Sequence, residues 1–114
     1  MTEASKETID RLYEAIEVAK ATGKISKGSN QVTKAIEKGK AKLVVYAKDI
    51  TPPEIVMHLP LLSQDKGVLC VQVPSKEELG AAAGLDVPTA AVAIVQEGDA
   101  KNIIKEIEDS IKKE

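Results

Sequence analysis

The sequence predicts an α/β protein, a single-domain three-layer α/β/α sandwich around a short central mixed sheet. Three observations carry this prediction. Stretches with apolar residues every three or four positions alternate with short continuous apolar runs, which is how helices alternating with buried strands read. Gly, Pro or a capping Ser falls between most of these stretches and marks their ends. The 114 residues suit one domain, since domains hold roughly 100–200 residues. No linker, internal repeat or low-complexity tract divides residues 1–114.

In residues 5–22, Ile9, Leu12, Tyr13, Ile16 and Ala19 repeat at helical spacing, with Ser5 as cap and Gly23 as stop. The lysine-rich residues 24–28 read as a loop. A short helix follows over 30–38, with Ser29 or Asn30 as its cap and Gly39 as its stop. Residues 42–47 form an unbroken apolar run behind Lys42, the mark of a strand buried on both faces. A helix starts across Asp49 to Glu54, because Pro52 and Pro53 are tolerated in a first turn. Ile55, Val56 and Leu59 continue it until Pro60 breaks or kinks it, and a further turn reaches Gly67. Residues 68–73 are the next strand. Ser75 and Glu78 form a capping box for a helix that ends at Gly84. Leu85, Asp86, Val87 and Pro88 form a loop, and residues 90–95 a strand. Gly98 and Asp99 open the last helix, which lines up Ile103, Ile104, Ile107 and Ile111.

The composition, 43% hydrophobic and 30% charged, is that of an ordinary globular protein. Seven Gly, five Pro and one Cys exclude collagen-like, mucin-like and disulfide-scaffold classes. Aromatic residues are 2%, with no Phe or Trp, which argues against modules that stack bases on aromatic platforms. Cys70, within an apolar strand, reads as a small buried hydrophobe. No signal peptide is visible at the N-terminus and no apolar run reaches the length of a membrane span, so the expectation is a cytoplasmic protein.

The net charge of −2 hides a strong asymmetry. Lys20, Lys24, Lys27, Lys34, Lys38, Lys40, Lys42 and Lys48 share a window whose single acid is Glu37, giving +7 there and −9 elsewhere. One face built for an anion explains this, and so does a solvated lysine face with no partner.

Enzyme chemistry finds little support. Gly23 and Gly28 have phosphate-loop spacing, but Ser29 and Asn30 stand where Lys and Ser/Thr are needed. No G-x-G-x-x-G follows a strand. His58 is the only histidine and has no nucleophile elbow beside it. One His and one Cys do not make the usual zinc site, and Glu77 and Glu78 are explained by the dipole of the helix they open. No catalytic residue, metal or cofactor is expected.

The informative stretch runs from Lys27 to Gly39. Gly28 lets a ligand backbone approach closely. Asn30 and Gln31 are amides at a helix start, able to meet both donors and acceptors on a base edge. Backbone N–H groups in the same turn suit phosphate oxygens. Lys34 and Lys38 lie four and eight residues beyond Asn30, on the same helical face. A capped helix with merely solvated lysines would show the same letters.

Residues Gly28-Ser29-Asn30-Gln31-Val32-Thr33-Lys34-Ala35 closely resemble the RNA-binding signature of the archaeal ribosomal protein L-seven-Ae family: Gly, small, Asn, Glu, apolar or small, Thr, Lys. Pro52-Pro53-Glu54-Ile55-Val56 and His58-Leu59-Pro60-Leu61-Leu62 match its central helix. Ser75-Lys76, Leu79-Gly80 and Ala82-Ala83-Gly84 match its late helix and loop, so the resemblance spans about Gly23 to Gly98.

The resemblance implies an α/β/α sandwich that binds kink-turns, sharply bent RNA helices with tandem sheared G·A pairs. It implies that Asn30 and Gln31 contact the guanines, with Lys27, Gly28, Ser29, Lys34 and Lys38 around them. It also implies a pocket for a flipped-out base at Ile55, Lys76, Leu85, Asp86 and Val87. The implied setting is the large ribosomal subunit, and also box C/D and H/ACA guide particles and RNase P. The implied partners are structured RNA and other particle proteins, with no membrane, and the free protein is expected to be a monomer. A stand-alone kink-turn regulator or a translation-associated relative is the alternative within RNA binding. A small α/β enzyme or protein-interaction module is the alternative outside it. Three positions depart from the family: Gln31 for its Glu, Thr51 for a frequent acid, and Ser63 for a common Cys.

Overall fold

Leu43–Ala47 lies at the centre of the molecule, and all five of its residues are buried. A strand hidden on both faces needs a layer of helices on each side, and both are present. The computed structural model describes residues 6–49 and 54–113, with side chains throughout except at 54–56 and 110–113. The expectations for Ser5, Thr51, Pro52 and Pro53, and for the side chains of Ile55 and Ile111, fall outside these.

The order is α1 (Lys6–Thr22), β1 (Lys24–Lys27), α2 (Ser29–Glu37), β2 (Leu43–Ala47), α3 (Glu54–Asp65), β3 (Leu69–Val73), α4 (Lys76–Ala82), β4 (Ala91–Gln96), a 3-10 turn (Gly98–Ala100) and α5 (Lys101–Lys113). The sheet has four strands in the order β1-β4-β2-β3. β4 is antiparallel to both β1 and β2, while β3 is parallel to β2, so the sheet is mixed.

Alternate residues of β2 face opposite layers, as the strand period of two requires. Leu43, Val45 and Ala47 pack with Leu12 and Ile16 of α1, Leu79 of α4, and Ile104 and Ile107 of α5. Val44 and Tyr46 pack with Val32 and Ile36 of α2 and Leu59 of α3. With 9 residues, α2 is a short helix, and isolated helices below about 12–15 residues are marginal. Its fully buried Val32 and Ile36 fix it to the sheet, each contributing about 1.5–3 kcal/mol.

Four expectations are corrected. Residues 24–27 are an edge strand rather than a loop, paired with β4 from Lys24↔Gln96 to Lys27↔Val92. Pro60 does not break its helix, which runs on to Asp65. The chain after Gly98 first makes a 3-10 turn, in which Asp99 N–H donates to Thr22 Oγ1 at 2.9 Å, and α5 begins only at Lys101. Cys70 is half-buried rather than buried. Even so, burial pushes its thiol up to about 11, so it stays protonated at neutral pH and unreactive.

Candidate nucleic-acid interface

Strand direction decides which loops meet. Because β4 opposes β1 and β2, and β3 follows β2, the C-terminal ends of β1, β2 and β3 share one sheet edge with the start of β4. Gly28, the segment after Ala47, residues 74–76 and the loop 85–90 all emerge there.

Hydrogen bonds stitch these segments together. Gly28 N–H donates to Ala91 O at 2.9 Å, and Thr89 Oγ1 donates to the same carbonyl at 3.2 Å. Thr89 N–H donates to Lys76 O at 3.2 Å. Lys76 N–H in turn donates to Asp49 Oδ1 at 2.9 Å. One continuous chain of bonds therefore joins the signature glycine, the late loop, Lys76 and the turn after β2. Thr89 is buried, 7% exposed, so its two bonds satisfy groups that would otherwise be costly. Thr89 and Asp49 are the residues that the sequence reading missed. Asp49 bonds a residue 27 positions on and Thr89 N–H bonds Lys76, in the helix before its loop, and no local spacing signals that.

The tip of α2 is open. Its cap is Gly28, at φ 90 and ψ 148, and no side chain caps the helix. The expected Ser29 or Asn30 cap is thereby corrected, because both lie inside the helix. That backbone geometry favours glycine, and the space where a Cβ would point is empty, with nothing within 4 Å. Val32 N–H donates to Gly28 O at 2.9 Å as the first helical bond. The N–H groups of Ser29, Asn30 and Gln31 precede it and have no intrahelical carbonyl to reach.

The helix is amphipathic as its seating requires. Asn30, Gln31, Lys34 and Lys38 are exposed, while Val32, Ala35 and Ile36 are buried. Lys27 is exposed beside the tip and Ser29 is half-exposed. Lys38 is the C-cap residue, about 12 Å along the axis from Asn30 at 1.5 Å per residue. Behind the tip, Thr33 Oγ1 donates to Ser29 O at 2.7 Å and lies 2.7 Å from His58 Nε2. The single hydroxyl proton goes to Ser29, so His58 Nε2 must donate to Thr33. His58 thus tethers α3 to α2, a structural role.

The second part of the expected site flanks the tip. Lys76 and Leu85 are half-buried, Leu85 against the α1 side of the core, while Asp86 and Val87 are exposed. Gly80 sets this loop's position: a Cβ there would collide with the Val87 carbonyl. The loop lies flat on α4 and leaves the Val87 side chain 62% exposed. The structure brings Lys27 to Lys34, Lys76 and residues 85–87 to one edge. The Ile55 side chain lies outside the described residues. Among the described residues no His, Cys, Asp or Glu cluster could hold a metal, and no described helix is long and apolar enough to cross a membrane.

This edge can offer amides to base edges, N–H groups and ammoniums to phosphates, and a half-apolar ledge at Leu85 and Val87. Comparison with known proteins identifies relatives of the whole chain. A family model described as the ribosomal protein L7Ae/L30e/S12e/Gadd45 family matches residues 10–104. The large ribosomal subunit protein eL8 of Nitrosopumilus maritimus is 45% identical over 111 residues, covering 97% of this chain and 87% of that protein. A solved structure, the Giardia lamblia 15.5kD RNA binding protein, superposes with a TM-score of 0.92 at 35% identity, over 98% of this chain and 93% of that one. The family model and the eL8 relative both match most of the length, and the chain belongs to the ribosomal protein L7Ae/L30e/S12e/Gadd45 family.

Proposed function

We propose that this protein is an RNA-binding component of the large ribosomal subunit that recognises kink-turns at the Gly28 edge. The observation that carries the reading is the uncapped tip of α2, with exposed Asn30 and Gln31, held by hydrogen bonds beside Lys76 and the 85–90 loop. Asn30 and Gln31 read guanine edges in the sheared G·A pairs. Lys27, Lys34 and Lys38 neutralise phosphates, and the backbone N–H groups of the first turn add to them. Ile55, Lys76, Leu85, Asp86 and Val87 receive the flipped-out base.

Regular A-form duplex hides base edges in a deep, narrow groove, so a sharply bent element with splayed bases is the RNA that such a tip can read. The protein captures or induces that bend, other particle proteins dock on the result, and no catalysis is involved. The same binding serves box C/D and H/ACA guide particles and RNase P. Its place of action is the cytoplasm, with no membrane partner, and it is a monomer off RNA.

A mobility-shift titration of the protein with a kink-turn and with a straight duplex, at physiological salt, tests this. A clear preference for the kink-turn is expected. Equal affinity for both would overturn the reading. Co-sedimentation with purified ribosomes separates the ribosomal role from that of a stand-alone regulator.

A further inference from the structure

The lysines of residues 20–48 do not all lie at the Gly28 edge. Lys24 opens β1, and Lys40 and Lys42 lie in the turn between α2 and β2, so all three stand at the opposite edge of the sheet. The register draws them together. Lys24 pairs with Gln96, Leu43 pairs with Ile94, and Lys42 N–H donates to Ile94 O at 2.6 Å. Lys24 therefore lies about two strand spacings, or about 10 Å, from the 40–42 turn.

All three side chains are exposed, and none forms an ion pair among the described residues. The segments at this end also carry three acids, Glu37 on the last turn of α2 and Glu97 and Asp99 after β4. None is ion-paired with these lysines among the described residues, and with Lys38 at the end of α2 the patch holds four cations against three acids and stays positive. The dipole of α2 attracts cations to its C-terminus, but that attraction fades within the last turn. It accounts for Lys38 and not for Lys24 on β1. The five residues of β2 separate this patch from the Gly28 edge, about 17 Å at strand rise. Phosphates bound here belong to a different stretch of backbone from the one held at Asn30.

We propose that Lys24, Lys40 and Lys42 form a second, sequence-independent phosphate-binding patch that takes the backbone of an RNA duplex, so that one molecule joins two RNA segments. The first segment rests on the kink-turn reading, and the patch itself does not.

The test uses the full chain saturated with an unlabelled, short-stemmed kink-turn RNA and titrated with a labelled straight RNA duplex. The wild-type complex should capture the duplex with a steep salt dependence. The triple variant K24Q/K40Q/K42Q should capture it about tenfold or more weakly, with a salt slope lower by about two to three, near one per lost phosphate contact. Its kink-turn affinity should stay within about twofold of wild type, which also reports that it folds. Unchanged duplex capture by the variant, no capture by wild type, or a preference of the patch for poly-glutamate over duplex would each overturn the proposal. If wild type fails to prefer the kink-turn, the functional reading falls. The same duplex titration, run without the kink-turn, then still decides the patch.

Discussion

Two helices, α2 and α4, begin at the same edge of the sheet, and the chain treats their N-termini in opposite ways. Each helix start leaves N–H groups without intrahelical partners and carries partial positive charge. At α4 the chain supplies the missing acceptors itself. Ser75 Oγ accepts from Glu78 N–H at 3.2 Å, Asp49 Oδ1 accepts from Lys76 N–H at 2.9 Å, and Glu77 and Glu78 add carboxylates to the first turn. At α2 it supplies none: the cap is Gly28, no side chain accepts from the first turn, and that turn holds no acid. The difference teaches that capacity for a polyanion resides in what a helix start lacks. α4 is closed by its own oxygens, and α2 is left for someone else's.

The comparison breaks most visibly at Asn30. Asn30→Ala removes the amide at the open tip and leaves the fold alone, because the side chain is exposed. Kink-turn affinity is expected to drop by about 1–3 kcal/mol, roughly fivefold to more than a hundredfold, as for a lost bidentate base contact. Affinity for straight duplex should hardly move. Equal losses on both RNAs in a mobility-shift titration would show that Asn30 does not read bases.

The same operation on α4 should give the reverse pattern. Ser75→Ala removes a cap bond and is expected to cost about 1 kcal/mol of folding stability, visible in a urea midpoint. RNA affinity should stay within about threefold. A large loss of affinity would mean that the closed helix start also contributes to binding.

Along the flank of α2 the effect is smaller and of another kind. Lys38→Ala removes an exposed cation two turns from the tip; if it meets a phosphate as proposed, the change should weaken kink-turn and duplex alike and lower the salt slope by about one. Selectivity should be unchanged. A loss confined to the kink-turn would move Lys38 from backbone contact to base reading.

The residues explain why part of this was legible in the sequence and part was not. The alternation of helices and strands is local, so β2, β3 and β4 stand out as apolar runs, and Ser75 with Glu78 announces α4. β1 does not stand out, because Lys24-Ile25-Ser26-Lys27 has one apolar residue. It is an edge strand, where charges are tolerated and even protective, and its pairing with β4 exists only in three dimensions. The α2 cap misled for a related reason. Ser29 and Asn30 are the better capping side chains by type, but the backbone needs a positive φ one residue earlier, which only Gly28 takes easily. Pro60 shows context overriding local preference: Leu59 on one side and Ser63 on the other are fully buried, and that packing carries the helix past the lost hydrogen bond. The bonds of Thr89 and Asp49, which position the late loop and Lys76, depend on residues distant in sequence and were invisible to any reading by spacing.

The finest test makes α2 more like α4 by giving its first turn an acid. In Gln31→Glu, two effects should appear in different measurements. The free protein should gain about 0.3–1 kcal/mol of stability, because a carboxylate near a helix N-terminus is favoured by the dipole. Kink-turn affinity should rise about threefold to fivefold. Guanine N1 and N2 present donors, and a carboxylate meets them with acceptors only, in stronger charge-assisted bonds. Gln31 keeps one acceptor and must turn its NH₂ elsewhere. Working against this, a new negative charge sits close to phosphates, and so the gain is small. Higher stability with unchanged or lower affinity would show that residue 31 faces backbone rather than a base edge, and that Asn30 reads the kink alone.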